Sequence, residues 1–530
     1  MKISDWKQRW QEWSNLRTWR IWKLKLVDAR LYFVSIFVGL LTGLIAVPYH
    51  YLLFALFDIR RDFFTGHYAW YWHVLLFFLL WGILIFVARL VKRMPLIAGG
   101  GIAQTRAAIN GRIHYDHPFK ELIAKFVGGI LSITAGLSLG REGPSVQIGS
   151  YIGTLVSRWG HVLQGERKQL IAAGAGAGLS AAFAAPLSSS LLVIESIERF
   201  DAPKTAITTL LAGVVAGGVA SWMFPTTPYH LINAVAPSLS FGSQVELYLI
   251  FAALMAVIAK IYSIIVPFFQ KLIPALKLSI PTKMLYLLLV AYLISLMETN
   301  LTGGGEQFLM MQGVNGTHDI RWLTLMMLIH FGFTLLSLSS DLPGGSFIPT
   351  LVTGGLLGQI FGLILVQRGI IDYENVSYMM LIGMVAFLVA VVRTPLTAIV
   401  LITEITGHFE VFYPSIVVGG LTYYFTELLQ IKPYNVLLYD RMFRVNSPKT
   451  EEEERYHLYV EIMNGSYFDG KQVDSLALPN KCVIRSIRRD RKTISPAGQT
   501  LVPGDQVEIE MDTQDIEKLY EPLVSMANIY

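Results

Sequence analysis

Residues 140–149 read Gly140-Arg141-Glu142-Gly143-Pro144-Ser145-Val146-Gln147-Ile148-Gly149, and they lie between two apolar segments. A carboxylate, Glu142, therefore stands on a break marked by glycine and proline. A charge at membrane depth costs about 3 kcal/mol on insertion scales and more in simulations, so such a residue faces a cavity or a pathway. A break in a helix at that depth is tolerated only where protein or water meets the freed backbone groups. The stretch reads as a titratable group on a broken helix in an ion pathway.

The surrounding chain has the composition that this reading needs. Of 530 residues, 53% are hydrophobic and 15% charged, with a mean hydropathy of +0.49. A soluble domain carries about 25% charged residues. Apolar runs recur at Leu31–Val47, Val74–Leu90, Val245–Phe268, Met284–Leu296, Leu323–Leu336, Met379–Val392 and Tyr413–Leu429. A spanning helix needs roughly 20 residues, and runs of about 10–14 suit re-entrant segments. Several runs are short and interrupted by Gly or Pro. An all-α polytopic membrane protein with broken, partly re-entrant helices is expected over residues 31–445.

Two flanks differ from this. Residues 1–30 hold eight Lys/Arg, three acids and five of the eleven Trp. Basic residues with interleaved aromatics suit an interfacial helix on the cytoplasmic leaflet, or a basic tail that only sets topology. Both readings place the N-terminus inside, and the direct run into a span argues against nucleic acid. No cleavable signal peptide is expected, because charge-rich sequence precedes the first apolar run. Cys482 is the only cysteine, which excludes an internal disulfide and zinc sites of the usual cysteine–histidine spacing. No metal site is expected.

Residues 450–530 open with the acidic run Glu451–Glu454 and read as a small cytosolic α/β domain. Strands are predicted at Tyr456–Met463, Lys481–Ile487 and Gln506–Met511, with turns at Pro496-Ala497-Gly498 and Pro503-Gly504-Asp505. Thr513 reads as the N-cap of a short helix ending near Leu523.

The membrane region repeats itself. Ala185-Pro186-Leu187 leads through an apolar run to Glu195, and Thr394-Pro395-Leu396 leads likewise to Glu404. Gly140-Arg141-Glu142-Gly143-Pro144 aligns with Gly345-Ser346-Phe347-Ile348-Pro349, both of the form Gly-x-x-x-Pro. Two matches in the same order, 205 and 209 residues apart, argue for homologous halves at about 31–225 and 240–440. Such repeats, with inverted topology and broken helices meeting at the site, are common in secondary transporters.

A site built this way suits an anion. Gly99-Gly100-Gly101, Gly140–Gly143 and Gly344–Ile348 can aim backbone amides at one point, and helix N-termini carry partial positive charge. An anion held by amides and hydroxyls can also leave, as conduction requires. Glu142 competes with that anion as a tethered negative charge, and protonation removes the competition. Anion and proton movements are thereby linked. A potassium filter of the Thr-Val-Gly-Tyr-Gly type is absent, and so is a His-Glu-x-x-His metal motif, so neither a potassium pore nor an enzyme is expected.

These residues resemble the CLC family of chloride channels and proton-coupled chloride antiporters over about residues 31–440. The Gly-Arg-Glu-Gly-Pro run matches the family's gating motif, with Glu142 on the gating glutamate and external proton acceptor. Gly345-Ser346-Phe347-Ile348-Pro349 matches the Gly-x-Phe-x-Pro motif, whose Phe347 and Ile348 amides would face the anion. Lys125 matches a basic residue that the family places near the pathway. The resemblance implies an anion site of Gly100, Gly101, Arg141, Gly143, Ser346, Phe347, Ile348 and Tyr434, with a local Arg141–Glu142 pair as the alternative for Arg141. It implies a homodimer in the plasma membrane with both termini cytoplasmic. It also implies chloride–proton exchange, with a passive chloride channel as the alternative.

Three departures bear on that expectation. The family's Gly-Ser-Gly-Ile-Pro-Glu reads Gly99-Gly100-Gly101-Ile102-Ala103-Gln104 here, so the serine hydroxyl is missing at Gly100. The family's Lys-Pro-x-Tyr reads Lys432-Pro433-Tyr434-Asn435, which leaves Tyr434 to serve through a one-residue shift. The paired carboxylates that many antiporters carry read Glu195-Ser196, so Ser196 occupies the inner proton position, with Glu198 three residues past Glu195. Helix capping and proton transfer both remain open for Glu195. His50 and His330 are expected to be packing residues, and Gly174-Ala175-Gly176-Ala177-Gly178 to allow close helix packing. The tail resembles the ligand-binding module that follows the Rossmann half of potassium-conductance regulators, called TrkA-C. That resemblance implies a small ligand or nucleotide there; no other cofactor is expected.

Overall fold

The computed structural model describes residues 16–160, 164–198, 203–223, 228–317, 319–446, 455–463, 465–476, 478–479, 482–489, 492–512 and 516–527. The first fifteen residues of the basic segment, Glu451–Glu454 and Thr513 lie outside them. The chain clusters into two units, Met1–Asp440 and Arg441–Tyr530.

The first unit is helical. In chain order its helices are α1 (Leu16–Thr65), α2 (Trp70–Arg93), α3 (Ile102–Ile109), α4 (Pro118–Thr134), α5 (Glu142–Trp159), α6 (Gln164–Phe183), α7 (Pro186–Leu192) and α8 (Pro203–Met223). There follow α9 (Phe241–Ala275), α10 (Ile280–Met297), α11 (Glu306–Asn315), α12 (Ile320–Leu338), α13 (Phe347–Gln367), α14 (Val376–Val392), α15 (Pro395–Thr406) and α16 (Phe412–Leu428), and α17 (Tyr434–Asn446) begins in this unit and runs past its last residue, Asp440. Among the described residues, eight helices are long and apolar enough to cross a membrane. Lys204–Met223 and Phe347–Gln367 are two such spans beyond the quoted apolar runs. Residue 30 is no boundary, since α1 runs through it.

Helix crossings are built on glycine, at equivalent places in the two halves. A Cβ at Gly149 would fall 1.8 Å from the Gly174 carbonyl oxygen, and one at Gly178 would fall 2.0 Å from that of Ser145. The glycine run 174–178 thus lets α5 and α6 touch backbone to backbone. In the second half, a Cβ at Gly354 would fall 2.6 Å from the Gly383 oxygen and one at Gly358 2.2 Å from that of Met379. Gly354 and Gly358 follow Gly149 and Gly153 by the same 205 residues. With no hydrophobic drive between helices in lipid, close contact of small residues supplies the packing energy.

The Pro-Leu motifs fold alike. Pro186 and Pro395 each begin a helix, where proline's missing N–H costs nothing. Their preceding residues have nearly the same backbone, φ −124°, ψ 78° at Ala185 and φ −123°, ψ 77° at Thr394. The carboxylates then cross over. Glu195 accepts from the Leu396 and Thr397 amides at 3.0 and 2.8 Å, and Glu404 accepts from the Leu187 and Ser188 amides at 3.0 and 2.9 Å. Each half caps the exposed N-terminus of the other half's short helix, satisfying orphan donors and the helix dipole together.

The second unit contains a four-stranded antiparallel sheet ordered β1-β4-β2-β3, with β1 Arg455–Glu461, β2 Val483–Arg489, β3 Lys492–Ile494 and β4 Gln506–Asp512. A helix, α18 (Ile516–Ala527), follows. Alternate residues Leu458, Val460, Val507, Ile509 and Met511 bury one face with Leu519 and Leu523 of α18. β3 is the strand that the sequence did not announce. Arg488 through Lys492 is too charged to read as apolar alternation, yet Ile494 pairs Ile487 at the sheet edge.

Candidate functional site

The three glycine-rich breaks meet. Gly140 and Gly345 exchange backbone hydrogen bonds, Gly140 N to Gly345 O at 2.7 Å and Gly345 N to Gly140 O at 2.6 Å. Gly344 N donates to Gly99 O at 3.0 Å. Gly101 opens α3 with φ +94°, a conformation that favours glycine. A Cβ at Gly143 would fall 2.5 Å from Gly100 O, so this close approach requires glycine at 143. Lys125, fully buried, donates from Nζ to Ile97 O at 2.9 Å and Gly99 O at 2.6 Å. Its bonds anchor the loop that carries Gly100.

Helices α5 and α13 start at this junction. Their N-caps, Arg141 and Ser346, make no side-chain capping bond, so the first-turn amides remain for a ligand. Glu142 occupies the junction itself. A point at Cβ distance from Gly140 lies 2.5 Å from Glu142 Oε2, 3.2 Å from Ile348 N and 3.3 Å from Gly345 O. The carboxylate and the Ile348 amide thus converge on one place. Glu142 is 1% exposed, and neither carboxylate oxygen completes a hydrogen bond. Phe347 and Ile348 are buried beside it.

A histidine stands behind each helix start. His50 Nε2 is 3.2 Å from Ser145 Oγ, and His330 Nε2 is 3.4 Å from Pro349 O. Both are expected as packing residues and both are buried; each also bonds to the first turn of α5 or α13.

Arg141 lies between two carboxylates. Its Nη2 is 3.0 Å from Glu306 Oε1, and its Nε is 3.8 Å from Glu142 Oε1. Tyr229 donates to the same Glu306 oxygen at 3.0 Å. Arg141, Glu306, Gly140 and Ile348 line one cavity with about 40 Å³ of room for water centres. One water needs roughly 10–15 Å³, so the cavity admits several waters or a small anion. Sequence reasoning missed Glu306 and Tyr229. The available signal was Gly303-Gly304-Gly305, a fourth glycine run with φ +66°, +96° and +79°, directly before an acid.

Tyr434 is buried at the start of α17. Its hydroxyl accepts from Gln270 Nε2 at 3.4 Å and its ring packs on Tyr262, with centroids 6.2 Å apart. Starting α17 at Tyr434 turns this ring towards α9 and leaves the next residue, Asn435, to face Ser196. Asn435 Nδ2 donates to Ser196 Oγ at 2.9 Å, and both are buried. Glu195 is engaged as a cap, as described above. The Glu198 side chain lies outside the described residues.

The fold and site define a helical membrane protein whose two repeats meet at helix N-termini around one buried carboxylate. A family profile described as voltage gated chloride channel matches residues 83–427, and one described as TrkA-C domain matches residues 457–524. The chain belongs to the voltage gated chloride channel family, CLC. Similar proteins include the H(+)/Cl(-) exchange transporter ClcA of Vibrio cholerae serotype O1, 31% identical over 432 residues, covering 77% of this chain and 88% of that protein. The protein of the same name from Klebsiella pneumoniae is 29% identical over 439 residues, covering 80% and 90%. A solved slow cyanobacterial Cl-/H+ antiporter matches with a TM-score of 0.71 at 26% identity, covering 79% of this chain and 99% of that one. A eukaryotic CLC transporter shares the fold, with a TM-score of 0.64 at 21% identity, covering 78% and 74%.

Proposed function

We propose that the protein exchanges chloride, or a similar monovalent anion, for protons across the membrane. The observation that carries the reading is the convergence of Glu142 Oε2 and the Ile348 amide on one point beside Gly140. A charged Glu142 fills the place that an anion would take on the amides of Phe347 and Ile348. A protonated Glu142 yields that place and carries its proton with it. Relatives named as H(+)/Cl(-) exchange transporters support exchange over a passive channel.

Gly100, Gly101, Gly143 and Ser346 shape the amide-lined site, Arg141 sets the field at its mouth, and Lys125 braces the loop. Ser196 stands at the inner proton position without a titratable group, so protons reach Glu142 by water or by a neighbouring acid, with Glu198 the candidate. The protein works as a homodimer in the plasma membrane with both termini cytoplasmic, and the C-terminal domain regulates transport through a small ligand or nucleotide.

The test is anion efflux from proteoliposomes with pH recorded at the same time. An outward chloride gradient is expected to drive protons inward, and Glu142→Gln is expected to abolish the proton flux. Chloride leaving without linked proton movement overturns the exchange reading. No flux with chloride, nitrate or fluoride overturns anion transport altogether.

A further inference from the structure

We propose that Glu306 is a positioning residue: it holds the Arg141 guanidinium off Glu142 and so sets the pH range in which Glu142 exchanges its proton. The inference rests on the reading of Glu142 as the proton-exchanging gate. Arg141 faces Glu306 at hydrogen-bond distance, 3.0 Å, but faces Glu142 at 3.8 Å with an Nε that makes no hydrogen bond. The guanidinium lies over the Phe54 ring, 4.4 Å from its centroid, which fixes its plane. The arginine and both carboxylates are largely withdrawn from solvent, with side-chain exposures of 10%, 12% and 1% for Arg141, Glu306 and Glu142. In so dry a place, charge interactions are stronger than in water.

Among the described residues, the charged and titratable groups whose fields reach Glu142 include Arg141 on its own loop, Glu306 on α11, Tyr229 on the turn before α9 and Tyr49 on α1. His50 on α1 stands behind, on Ser145. Arg141 is the cation of this set. Its division between two acids therefore decides how strongly the charged form of Glu142 is held.

Neutralising Glu306 acts in one direction by two routes. It releases Nη2, so the guanidinium closes on Glu142, and it removes a like charge from the same cavity. Both favour charged Glu142, and more acid is then needed to protonate it. Deleting the Tyr229 hydroxyl does the reverse. Glu306 Oε1 then binds Arg141 alone, and the arginine is drawn further from Glu142.

The experiment compares the pH profile of coupled exchange for the full-length chain in proteoliposomes with Glu306→Gln, Glu306→Asp and Tyr229→Phe. Glu306→Gln is expected to move the midpoint to acid pH by about one unit, tenfold in proton concentration. Glu306→Asp is expected to restore most of that shift. Tyr229→Phe is expected to move the midpoint the other way by less. A Glu306→Gln profile that superimposes on the parent, or moves to alkaline pH, overturns the proposal. If Glu306→Gln does not assemble, the sign for Tyr229→Phe decides, and an acid or zero shift overturns it. Parent protein without proton-linked flux instead overturns the gate reading, and this inference with it.

Discussion

Arg141-Glu142 at the head of α5 and Ser346-Phe347 at the head of α13 are the same piece of backbone used twice. Their N-caps have φ −84°, ψ −19° and φ −98°, ψ −6°, and their preceding glycines bond to one another in both directions. A histidine supports each from behind. The side chains do not match. One head carries an arginine and a carboxylate; the other carries a hydroxyl and two apolar groups. The repeat builds a symmetric set of amides, and the departure from the repeat supplies a charge beside them. On the proposed exchange mechanism, binding belongs to what the halves share, and coupling to where they differ.

The shared part breaks hardest. Gly149→Ala places a methyl 1.8 Å from a backbone oxygen, and Gly354→Ala places one 2.6 Å from its counterpart. Overpacking typically costs about 1–3 kcal/mol, and a backbone clash cannot be relieved by a rotamer, so the upper end or more is expected. Thermal unfolding in detergent should show both variants destabilised, Gly149→Ala the more. Equal losses would mean that the α5–α6 and α13–α14 crossings yield alike despite their different spacing.

The crossed caps come next. Glu195→Gln and Glu404→Gln each leave one backbone amide facing an NH2 donor in place of an acceptor and remove a charge from a helix N-terminus. A loss of about 1–2 kcal/mol is expected for each, and the two losses should agree. Transport sharpens the comparison. If Glu195→Gln lowers the proton-to-chloride ratio and Glu404→Gln does not, Glu195 serves the proton path as well as the cap.

The bridge glycines give a smaller and less symmetric effect. A Cβ at Gly140 meets Glu142 Oε2 at 2.5 Å, whereas one at Gly345 meets Gly143 N at 3.1 Å and Gly140 O at 3.4 Å. Gly140→Ala therefore pushes aside the free end of a side chain. It should raise chloride flux relative to proton flux by several-fold, while Gly345→Ala should slow both together. Flux ratios measured on the two variants test this.

Much of this was legible in the chain because the repeat is written in Gly and Pro. Those residues mark breaks whatever surrounds them, so Gly140, Gly345, Pro186 and Pro395 located the junctions directly. The role of Tyr434 was not legible. A one-residue difference after Lys432-Pro433 turns a helical side chain by about 100°, and only the packed α17 shows Asn435 facing Ser196. The glycine run before Glu306 marked its place, but not its pairing. Its partner Arg141 is 165 residues away, and local sequence carries no sign of such a pair.

Gly100 offers the finest test of whether the symmetric amides alone set anion choice. Its added Cβ would meet Gly345 Cα at 3.4 Å and Gly344 O at 3.8 Å, both ordinary contacts, and its φ is not left-handed. Gly100→Ser should therefore fold as the parent does and return a hydroxyl to the amide-lined junction. One added hydrogen bond is worth about 1 kcal/mol, or roughly fivefold in affinity. The chloride-to-nitrate ratio should shift by no more than that, because the other donors in the junction, the backbone amides and the Ser346 hydroxyl, are left in place by the added hydroxyl. Anion competition in the same proteoliposomes reads the ratio. A shift well beyond fivefold would mean that a single side chain outweighs the shared amides, and the division between binding and coupling would have to be redrawn around the first glycine break.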